Sequence, residues 1–230
     1  MTGTCLIVGA GSGLSASCAR LFAAEGYDIA LAARNIDKLD ALAAETGASV
    51  HALDGSDAAA TRALVDGLPG RLSVAIYNPS ARSRGPLIDL DPDEVKRAVE
   101  ITAFGSFALG QAAARRMLAQ DGDVKGTILF TGASAGVKGF AKSASFAMGK
   151  FAQRGLAQSM SRELHPQGVH VAWINVDGGI RNPDRPERIP QTPDAMLEPD
   201  AIAQTYLALV RQHRSAWSHE IAVRPWVENF

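Results

Sequence analysis

Short apolar runs alternate along the whole chain with segments in which apolar residues recur every three to four positions. The apolar runs predict strands at 4–11, 28–34, 49–54, 72–78, 126–132, 169–176 and 219–224. The periodic segments predict a helix from Leu14 to its closing Gly26, and others at 35–47, 57–68, 91–119 with an interruption near Gly105, 144–164 and 199–212. Strands that are apolar throughout are typical of a parallel sheet covered by helices on both faces. We therefore expect an α/β fold with a doubly wound parallel sheet of about seven strands.

One segment, 178–199, breaks this alternation. It is rich in proline and charge, has little periodicity, and is too long for a simple connection between two elements. It is either a mobile lid or a disordered insert. Because no linker or repeat interrupts the rest, we expect residues 1–230 to form a single domain with a lid at 178–199.

The bulk composition excludes several classes of partner. The chain has 230 residues, 47% of them hydrophobic and 20% charged, with a net charge of −1. This balance favours neither nucleic acid nor an anionic membrane, and no apolar run is long enough to span a bilayer. The two cysteines, Cys5 and Cys18, form no disulfide framework and are expected to be small buried residues. With no basic leader at the start, we expect a cytoplasmic protein that acts on a small molecule.

A glycine-rich turn, "GAGSGLS" at 9–15, lies between the first strand and the first helix. Gly9 permits a tight turn, and Gly13 has no Cβ, so a pyrophosphate could approach the backbone there. The helix that follows offers free N–H groups and the positive end of its dipole. A tight turn without a ligand is the alternative. The expected cofactor-binding residues of this turn are Gly9, Gly11, Ser12, Gly13 and Leu14.

The ends of the second and third strands bear on which dinucleotide binds. Enzymes that prefer NAD commonly place an acid at the end of the second strand, where this chain has Ala33 and Arg34. A guanidinium would bind a 2′-phosphate that an acid would repel, so we expect NADP(H) to be preferred and NAD(H) to be possible. Asp54, before Gly55, could accept a hydrogen bond from the adenine amino group. The alternative for Arg34 is a solvated loop residue without a ligand. The alternative for Asp54 is an aspartate that only forms a turn.

The glycine turn, "YNPS" at 77–80, Lys150 and "VDGGI" at 176–180 together resemble the short-chain dehydrogenase/reductase family over nearly the whole chain. That family has a Rossmann-type sheet and binds NAD(P)(H) at its carboxyl edge. Its glycine motif, T-G-x-x-x-G-x-G, has Val8 and Ser15 here at the first and last positions. The resemblance implies that Asn78 steadies the central strand beside the cofactor. It also implies that Pro79, Gly178 and Ile180 contact the cofactor.

At the family's catalytic positions this chain departs further from the family pattern. Its Y-x-x-x-K pair becomes Phe146 and Lys150, and phenylalanine carries no proton to transfer. In the family the lysine holds the nicotinamide ribose, and we expect the same of Lys150; a lysine that reaches solvent from a packed helix is the alternative. The family's serine position falls at Ala133, with Ser134 one residue on, and its helix asparagine becomes Thr102.

The resemblance implies an NADP-preferring oxidoreductase that acts on a small carbonyl, imine or activated alkene with a non-standard proton donor. Ser134, or Ser143 through a water relay, could take over part of the missing function. The alternatives are a catalytically silent NADP-binding sensor or assembly protein, and a non-redox reaction such as that of a lyase. No His, Cys, Asp or Glu spacing suggests a metal site.

The end of the chain predicts an interface. Trp217, Trp226 and Phe230 are large aromatic residues near or after the last strand. Proteins of this family are usually oligomers, so we expect a homodimer or homotetramer. The alternative is a tail that folds onto its own domain.

Overall fold

The computed structural model describes residues 2–182, 184 and 194–227. Within these residues seven strands form one parallel sheet in the order β3-β2-β1-β4-β5-β6-β7. The strands are β1 Thr4–Val8, β2 Asp28–Ala33, β3 Ser49–Ala52, β4 Leu72–Tyr77, β5 Gly126–Thr131, β6 Val169–Val176 and β7 Glu220–Val223. The expected α/β fold with a parallel sheet of seven strands is therefore confirmed.

The helices also lie where the periodicity predicts them. They are α1 Leu14–Ala24, α2 Asp40–Thr46, α3 Ala58–Gly67, α4 Pro92–Val99, α5 Gly105–Leu118, α6 Ala144–Leu164 and α7 Pro199–Val210. None of the helices in the described residues is both long and apolar enough to cross a membrane.

The sheet separates two apolar cores, as expected for strands that are buried on both faces. Cys5 and Ile7 pack with α1, α2 and α7 on one face, whereas Leu6 and Val8 pack with α3, α5 and α6 on the other. Successive side chains of β1 thus point to opposite faces, and both faces are covered. Cys5 and Cys18 are both buried and form no disulfide, which confirms that they are small buried residues. Burial raises the pKa of each thiol.

The interruption near Gly105 is a π-helical turn, Glu100–Phe104, between α4 and α5. Tyr77, at the end of β4, is fully buried beneath it and donates a hydrogen bond to the Ile101 carbonyl over 2.5 Å. A Cβ at position 105 would overlap the Tyr77 hydroxyl, so only glycine lets the helix pass this close. The widened turn therefore accommodates a buried tyrosine.

The aromatic residues at the end of the chain differ in their surroundings. Trp217 stacks on His170, with ring centroids 4.9 Å apart, so this residue folds onto its own domain. Trp226 is 82% exposed, and Phe230 lies outside the described residues. Of the segment expected to form a lid, 183 and 185–193 also lie outside the described residues.

Candidate active site

The strand order reverses between β1 and β4, and the glycine turn lies at this point. β1 pairs with β2 on one side and with β4 on the other, so the chain leaves the sheet in opposite directions here. Such a reversal opens a crevice at the carboxyl edge of the strands, which is where ligands bind in open α/β sheets. Val8 and Tyr77 are paired, so Gly9 and Asn78 follow neighbouring strand ends.

The three glycines of the turn differ in their surroundings. Gly9 has a φ of +82°, and a Cβ there would lie 2.7 Å from the ring of Pro79. A Cβ at Gly11 would meet no described atom within 4 Å, so the backbone at this residue faces open space. Gly13 is the N-cap of α1, and no side-chain cap hydrogen bond forms at that helix end. The turn thus presents an accessible backbone beside a helix N-terminus.

Ser15 ties the glycine turn to the neighbouring strand end. Its hydroxyl donates to the Gly9 carbonyl over 3.0 Å and accepts from the Asn78 side-chain amide over 2.7 Å. Ser15 is only 3% exposed. The residue that departs from the family's last glycine therefore adds two hydrogen bonds to the turn.

A cavity of about 570 Å³ opens over the turn. It brings together eight of the residues expected to bind a cofactor: Gly9, Gly11, Ser12, Gly13, Leu14, Asn78, Pro79 and Ile180. Five others are not among its lining residues: Arg34, Asp54, Gly55, Lys150 and Gly178. The walls also contain seven residues that were not expected to bind the cofactor: Ala10, Ser15, Lys38, Ser80, Arg181, Asn182 and Asp184.

On the β2 side of this cavity the lining cation is Lys38 rather than Arg34. Arg34 is exposed directly after β2 and makes no hydrogen bond or ion pair to any described residue. Lys38 follows in the short 3-10 turn Asp37–Leu39 that precedes α2. A lysine five residues beyond the end of β2 is a signal that sequence reasoning could have weighed.

Asp54 is engaged within its own turn. Its carboxylate accepts from the Ser56 N–H over 3.0 Å, from the Ser56 hydroxyl over 2.7 Å, and from Arg97. The hydrogen bonds from Ser56, followed by Arg97, lower the pKa of Asp54. The carboxylate is therefore an ionised acceptor that anchors the loop after β3.

The chain after β6 reaches across to the glycine turn. Ser12 donates hydrogen bonds to Asp184 and, over 3.4 Å, to Asn182. Gly178 has a φ of +155°, and a Cβ there would lie 2.8 Å from Pro225, so its role in the structure is close packing. A bound phosphate would need the Ser12 hydroxyl as a hydrogen-bond donor. In this structure the negatively charged Asp184 carboxylate accepts that hydrogen bond.

Lys150 is buried, at 2% exposure, and its amine points inward. The amine donates to the Thr131 carbonyl over 2.5 Å and to Gln153 Oε1 over 3.2 Å. Burial, and secondarily the charge of Arg82, lowers the pKa of Lys150 to about 7. The alternative of a lysine that reaches solvent is therefore wrong.

Gln153, which the sequence analysis missed, links Lys150 to Thr102. Gln153 Oε1 also accepts from the Trp173 indole over 3.2 Å, and its amide donates to the Ser106 hydroxyl over 2.8 Å. Ser106 in turn donates to the Thr102 carbonyl over 2.7 Å. Gln153 could have been noticed from the sequence as a polar residue three positions after Lys150. The direction in which its side chain points, however, depends on how α5 packs against α6.

The remaining catalytic candidates lie around this network. The Thr102 hydroxyl is buried and accepts from the Ala81 N–H over 3.1 Å. Ser134 is half-buried at the start of a 3-10 turn after β5, and its hydroxyl makes no hydrogen bond within the described residues. Ser143 is the N-cap residue of α6, just outside the helix.

Phe146, which was expected to stand in place of the family's tyrosine, is half-buried in the first turn of α6. The guanidinium carbon of Arg82 lies 4.5 Å from the centre of its ring. Arg82 belongs to the loop after β4 and was also missed by the sequence analysis. Among the described residues, no group of three or more His, Cys, Asp or Glu side chains could hold a metal ion.

A parallel sheet with a glycine turn and a cavity at its strand-order reversal defines the class of dinucleotide-binding α/β proteins. A comparison with protein families finds that residues 3–184 match the short chain dehydrogenase family. The chain therefore belongs to the short-chain dehydrogenase family and is an oxidoreductase of that type.

Individual relatives agree with this assignment. A trans-4-hydroxycyclohexanecarboxylate dehydrogenase of Sinomonas cyclohexanicum is 31% identical over 193 residues, which are 77% of this chain and 72% of the relative. The crystal structure of a short-chain dehydrogenase from Rhodopseudomonas palustris has a TM-score of 0.84 at 32% identity and covers 98% of this chain and 100% of that chain. A metagenomic short-chain oxidoreductase in complex with NADP has a TM-score of 0.83 at 27% identity and covers 98% of each chain.

Proposed function

We propose that this chain is an NADP(H)-preferring oxidoreductase that acts on a small carbonyl, imine or activated alkene without a tyrosine proton donor. The observation that supports it best is the open cavity over the glycine turn, beside the N-terminus of α1. Backbone N–H groups at a helix start bind phosphate, and the space at Gly11 leaves room for one.

The residues of the cavity fit a dinucleotide. Gly9, Gly11, Gly13 and Leu14 would hold the pyrophosphate, with Asn78 and Pro79 beside it. Arg34 and Lys38 supply two cations on the side of β2, where a 2′-phosphate would distinguish NADP from NAD. The metagenomic relative was crystallised in complex with NADP. Binding requires that Ser12 exchange its Asp184 partner for a phosphate oxygen.

When bound, the cofactor supplies or accepts hydride, and the protein positions the substrate. Phe146 cannot donate a proton, so the proton must come from another group or from water. We assign Ser134 to polarising the substrate oxygen, because its half-buried hydroxyl has no partner among the described residues. Thr102 positions the loop after β4 through Ala81.

Lys150 is assigned to the nicotinamide ribose. To make that contact its amine must leave the Thr131 carbonyl, which it now contacts over 2.5 Å. Gln153 Oε1 also accepts a hydrogen bond from this amine, so these two hydrogen bonds determine how readily the lysine is released. A pKa near 7 means that the amine changes charge near neutral pH, which suits a group that exchanges protons in the reaction.

The test is direct. Purified protein is titrated with NADPH and NADH by calorimetry, and turnover is then measured on ketones, imines and enals. We expect NADPH to bind more tightly than NADH and at least one substrate class to be reduced. Binding without turnover on any of the three classes would favour the second candidate, a catalytically silent NADP-binding sensor or assembly protein, which the missing tyrosine supports. No binding of either nucleotide would contradict both.

We also propose that the protein is a homodimer or homotetramer in a reducing cytoplasm. Exposed large apolar side chains support self-association: Phe104, Phe107, Met148, Phe151 and Trp226 are each more than a third exposed. Light scattering after size-exclusion chromatography measures the mass directly. A monomer at micromolar concentration would contradict the assembly.

A further inference from the structure

The Lys150 amine lies between two oxygen acceptors that come from different parts of the fold. It donates to the Thr131 carbonyl, at the end of β5, over 2.5 Å and to Gln153 Oε1, on the next turn of α6, over 3.2 Å. Lys150 is 2% exposed and Gln153 is fully buried. Because both side chains are shielded from bulk solvent, water does not readily replace either acceptor, and losing one of them leaves the amine underpaired.

The direction of the Gln153 amide follows from its other two partners. The indole N–H of Trp173, which can only donate, points at Oε1 over 3.2 Å. The amide nitrogen donates to the Ser106 hydroxyl over 2.8 Å, and that hydroxyl donates onward to the Thr102 carbonyl over 2.7 Å. A reversed amide would place its N–H donors against the indole N–H, so the oxygen is the atom that faces Lys150.

Both partners of the Gln153 amide are held rigidly. Trp173 lies in β6 and Ser106 in α5, and each is fully buried. A Cβ at Gly132 would lie 2.4 Å from the Trp173 indole, and a Cβ at Gly136 would lie 2.5 Å from it, so the ring is tightly enclosed on this side. Gln153 therefore presents its oxygen to the amine from a fixed position, as a preorganised acceptor does.

Two opposing influences act on the charge of Lys150. Burial, followed by the positive charge of Arg82 in the loop after β4, lowers the pKa of the amine to about 7. The Gln153 oxygen acts in the other direction, because an acceptor interacts more favourably with a charged donor than with a neutral one. Removing this oxygen should therefore favour the neutral amine, and replacing it with a carboxylate should favour the charged amine.

Other ionisable groups border the same network. Arg154 lies over the Trp173 ring, with its guanidinium carbon 5.6 Å from the centroid, and forms an ion pair with Glu220 over 2.7 Å. Tyr206, from α7, shares a hydrogen bond with the Thr131 hydroxyl over 2.7 Å. Burial raises the pKa of Tyr206, so its phenol stays neutral around neutral pH.

We propose that Gln153 is the positioning residue of Lys150: its amide oxygen, fixed by Trp173 and Ser106, directs the amine and favours its charged form. This inference rests on the proposed function, since the charged amine is the form that donates most strongly to the ribose hydroxyls. A residue with a merely structural role would affect the stability of α6 without controlling the proton affinity of the amine.

The first test measures the charge of Lys150 directly and needs no nucleotide. The full chain is produced with lysine that carries ¹³C at Cε, and the NMR signals are followed from about pH 5 to about pH 11. The signal of Lys150 is the one absent from Lys150→Met. We expect Gln153→Met, which removes the oxygen, to lower the titration midpoint by about one pH unit. We expect Gln153→Glu, which places a carboxylate there, to raise it by about one unit or more.

The opposite signs decide the question, because a packing defect would move the midpoint in the same direction in both variants. Gln158→Met and Gln158→Glu, at a half-buried glutamine of the same helix, are the matched controls and should leave the Lys150 midpoint in place. If Gln153→Met does not fold, Gln153→Glu is compared with Gln158→Glu, and only the former should raise the midpoint. Midpoints that stay constant, or that move in one direction in both Gln153 variants, would overturn the inference.

The second test connects this charge to the cofactor. The Kd for NADPH is measured by calorimetry from about pH 6.5 to about pH 10 in the wild type and in both Gln153 variants. We expect Kd to rise as Lys150 loses its proton, with the highest midpoint in Gln153→Glu and the lowest in Gln153→Met. The 2′-phosphate of the nucleotide titrates identically in all three series, so their differences report the protein. One common midpoint would overturn the link between Gln153 and the cofactor.

The two proposals fail in distinguishable ways. If neither nicotinamide nucleotide binds, the proposed function fails, but the NMR titration of the protein alone still decides whether Gln153 controls the amine. If NADPH binds and the Lys150 midpoint is the same in the wild type and both Gln153 variants, only the inference about Gln153 fails.

Discussion

The side-chain amide of Asn78 donates a hydrogen bond over 2.7 Å to the hydroxyl of Ser15, which itself donates to the Gly9 carbonyl. This contact joins the first helix to the end of β4 across the point where the strand order reverses. Both hydrogen bonds are internal to the protein and hold the glycine turn in place. A turn that is already ordered loses less conformational entropy when a phosphate binds.

Replacing Ser15 with alanine should therefore affect both stability and cofactor binding. The change removes the Ser15 acceptor of the half-buried Asn78 amide, which keeps the Gly9 carbonyl at 3.5 Å, and should lower the free energy of unfolding by about 0.5–1.5 kcal/mol. We also expect the Kd for NADPH to rise. Urea unfolding and calorimetry measure the two effects. Ser17→Ala, at a buried serine of the same helix with no side-chain hydrogen bond to a described residue, is the matched control and should change NADPH binding little.

A phenol at position 146 should increase carbonyl reduction. If Phe146 occupies the place of the family's tyrosine, Phe146→Tyr supplies a general acid one turn from Lys150, and such a group typically contributes about 10²–10⁴-fold in rate. The rate of NADPH oxidation with a ketone panel measures the gain. Phe151→Tyr, an exposed position on the same helix, should give none. An inactive Phe146→Tyr variant that still binds NADPH would argue against this placement of the active site.

The preference for NADP should depend on the cations after β2. Removing Arg34 or Lys38 should weaken NADPH by about tenfold or more and NADH much less, because only NADP carries the 2′-phosphate. Calorimetric titration of each variant with both nucleotides gives the ratio. Arg62→Ala, a change on the exposed face of α3, should leave both affinities unaltered. Equal losses for the two nucleotides in Arg34→Ala and Lys38→Ala would contradict the proposed preference.

The buried amine of Lys150 should make stability depend on pH. Its pKa falls from 10.5 to about 7 on folding, so between these pH values the unfolded chain binds more protons than the folded protein. The contribution of Lys150 to the free energy of unfolding therefore increases as the pH rises from about 7 to about 10. We expect the stability of Lys150→Met relative to the wild type to fall over the same interval.

Urea unfolding at several pH values measures this difference between the two proteins. Comparing a variant with the wild type removes the effects of the other titrating groups. The same substitution at exposed Lys96 is the control, and its difference from the wild type should stay constant. A Lys150→Met difference that is equally flat would mean that the amine is not held in the buried position described above.

The sequence by itself determined the fold and the position of the glycine turn. Apolar runs and helical periodicity are local properties, because a strand buried on both faces must be apolar at nearly every residue. The turn at Gly9 follows in the same way, since a positive φ at the end of a strand favours glycine. The prediction that Phe146 stands in place of the family's tyrosine likewise comes from spacing alone.

Only the tertiary structure decided which side chains meet. Asn78 contacts Ser15 across 63 residues of chain, and Arg82 lies over Phe146 although no pattern links their segments. The inward direction of Lys150 depends on Gln153, Ser106 and Thr131, which come from three different elements. Such contacts depend on how helices and loops pack against the sheet, and the free energy of packing is a property of the whole domain that no local window of sequence contains.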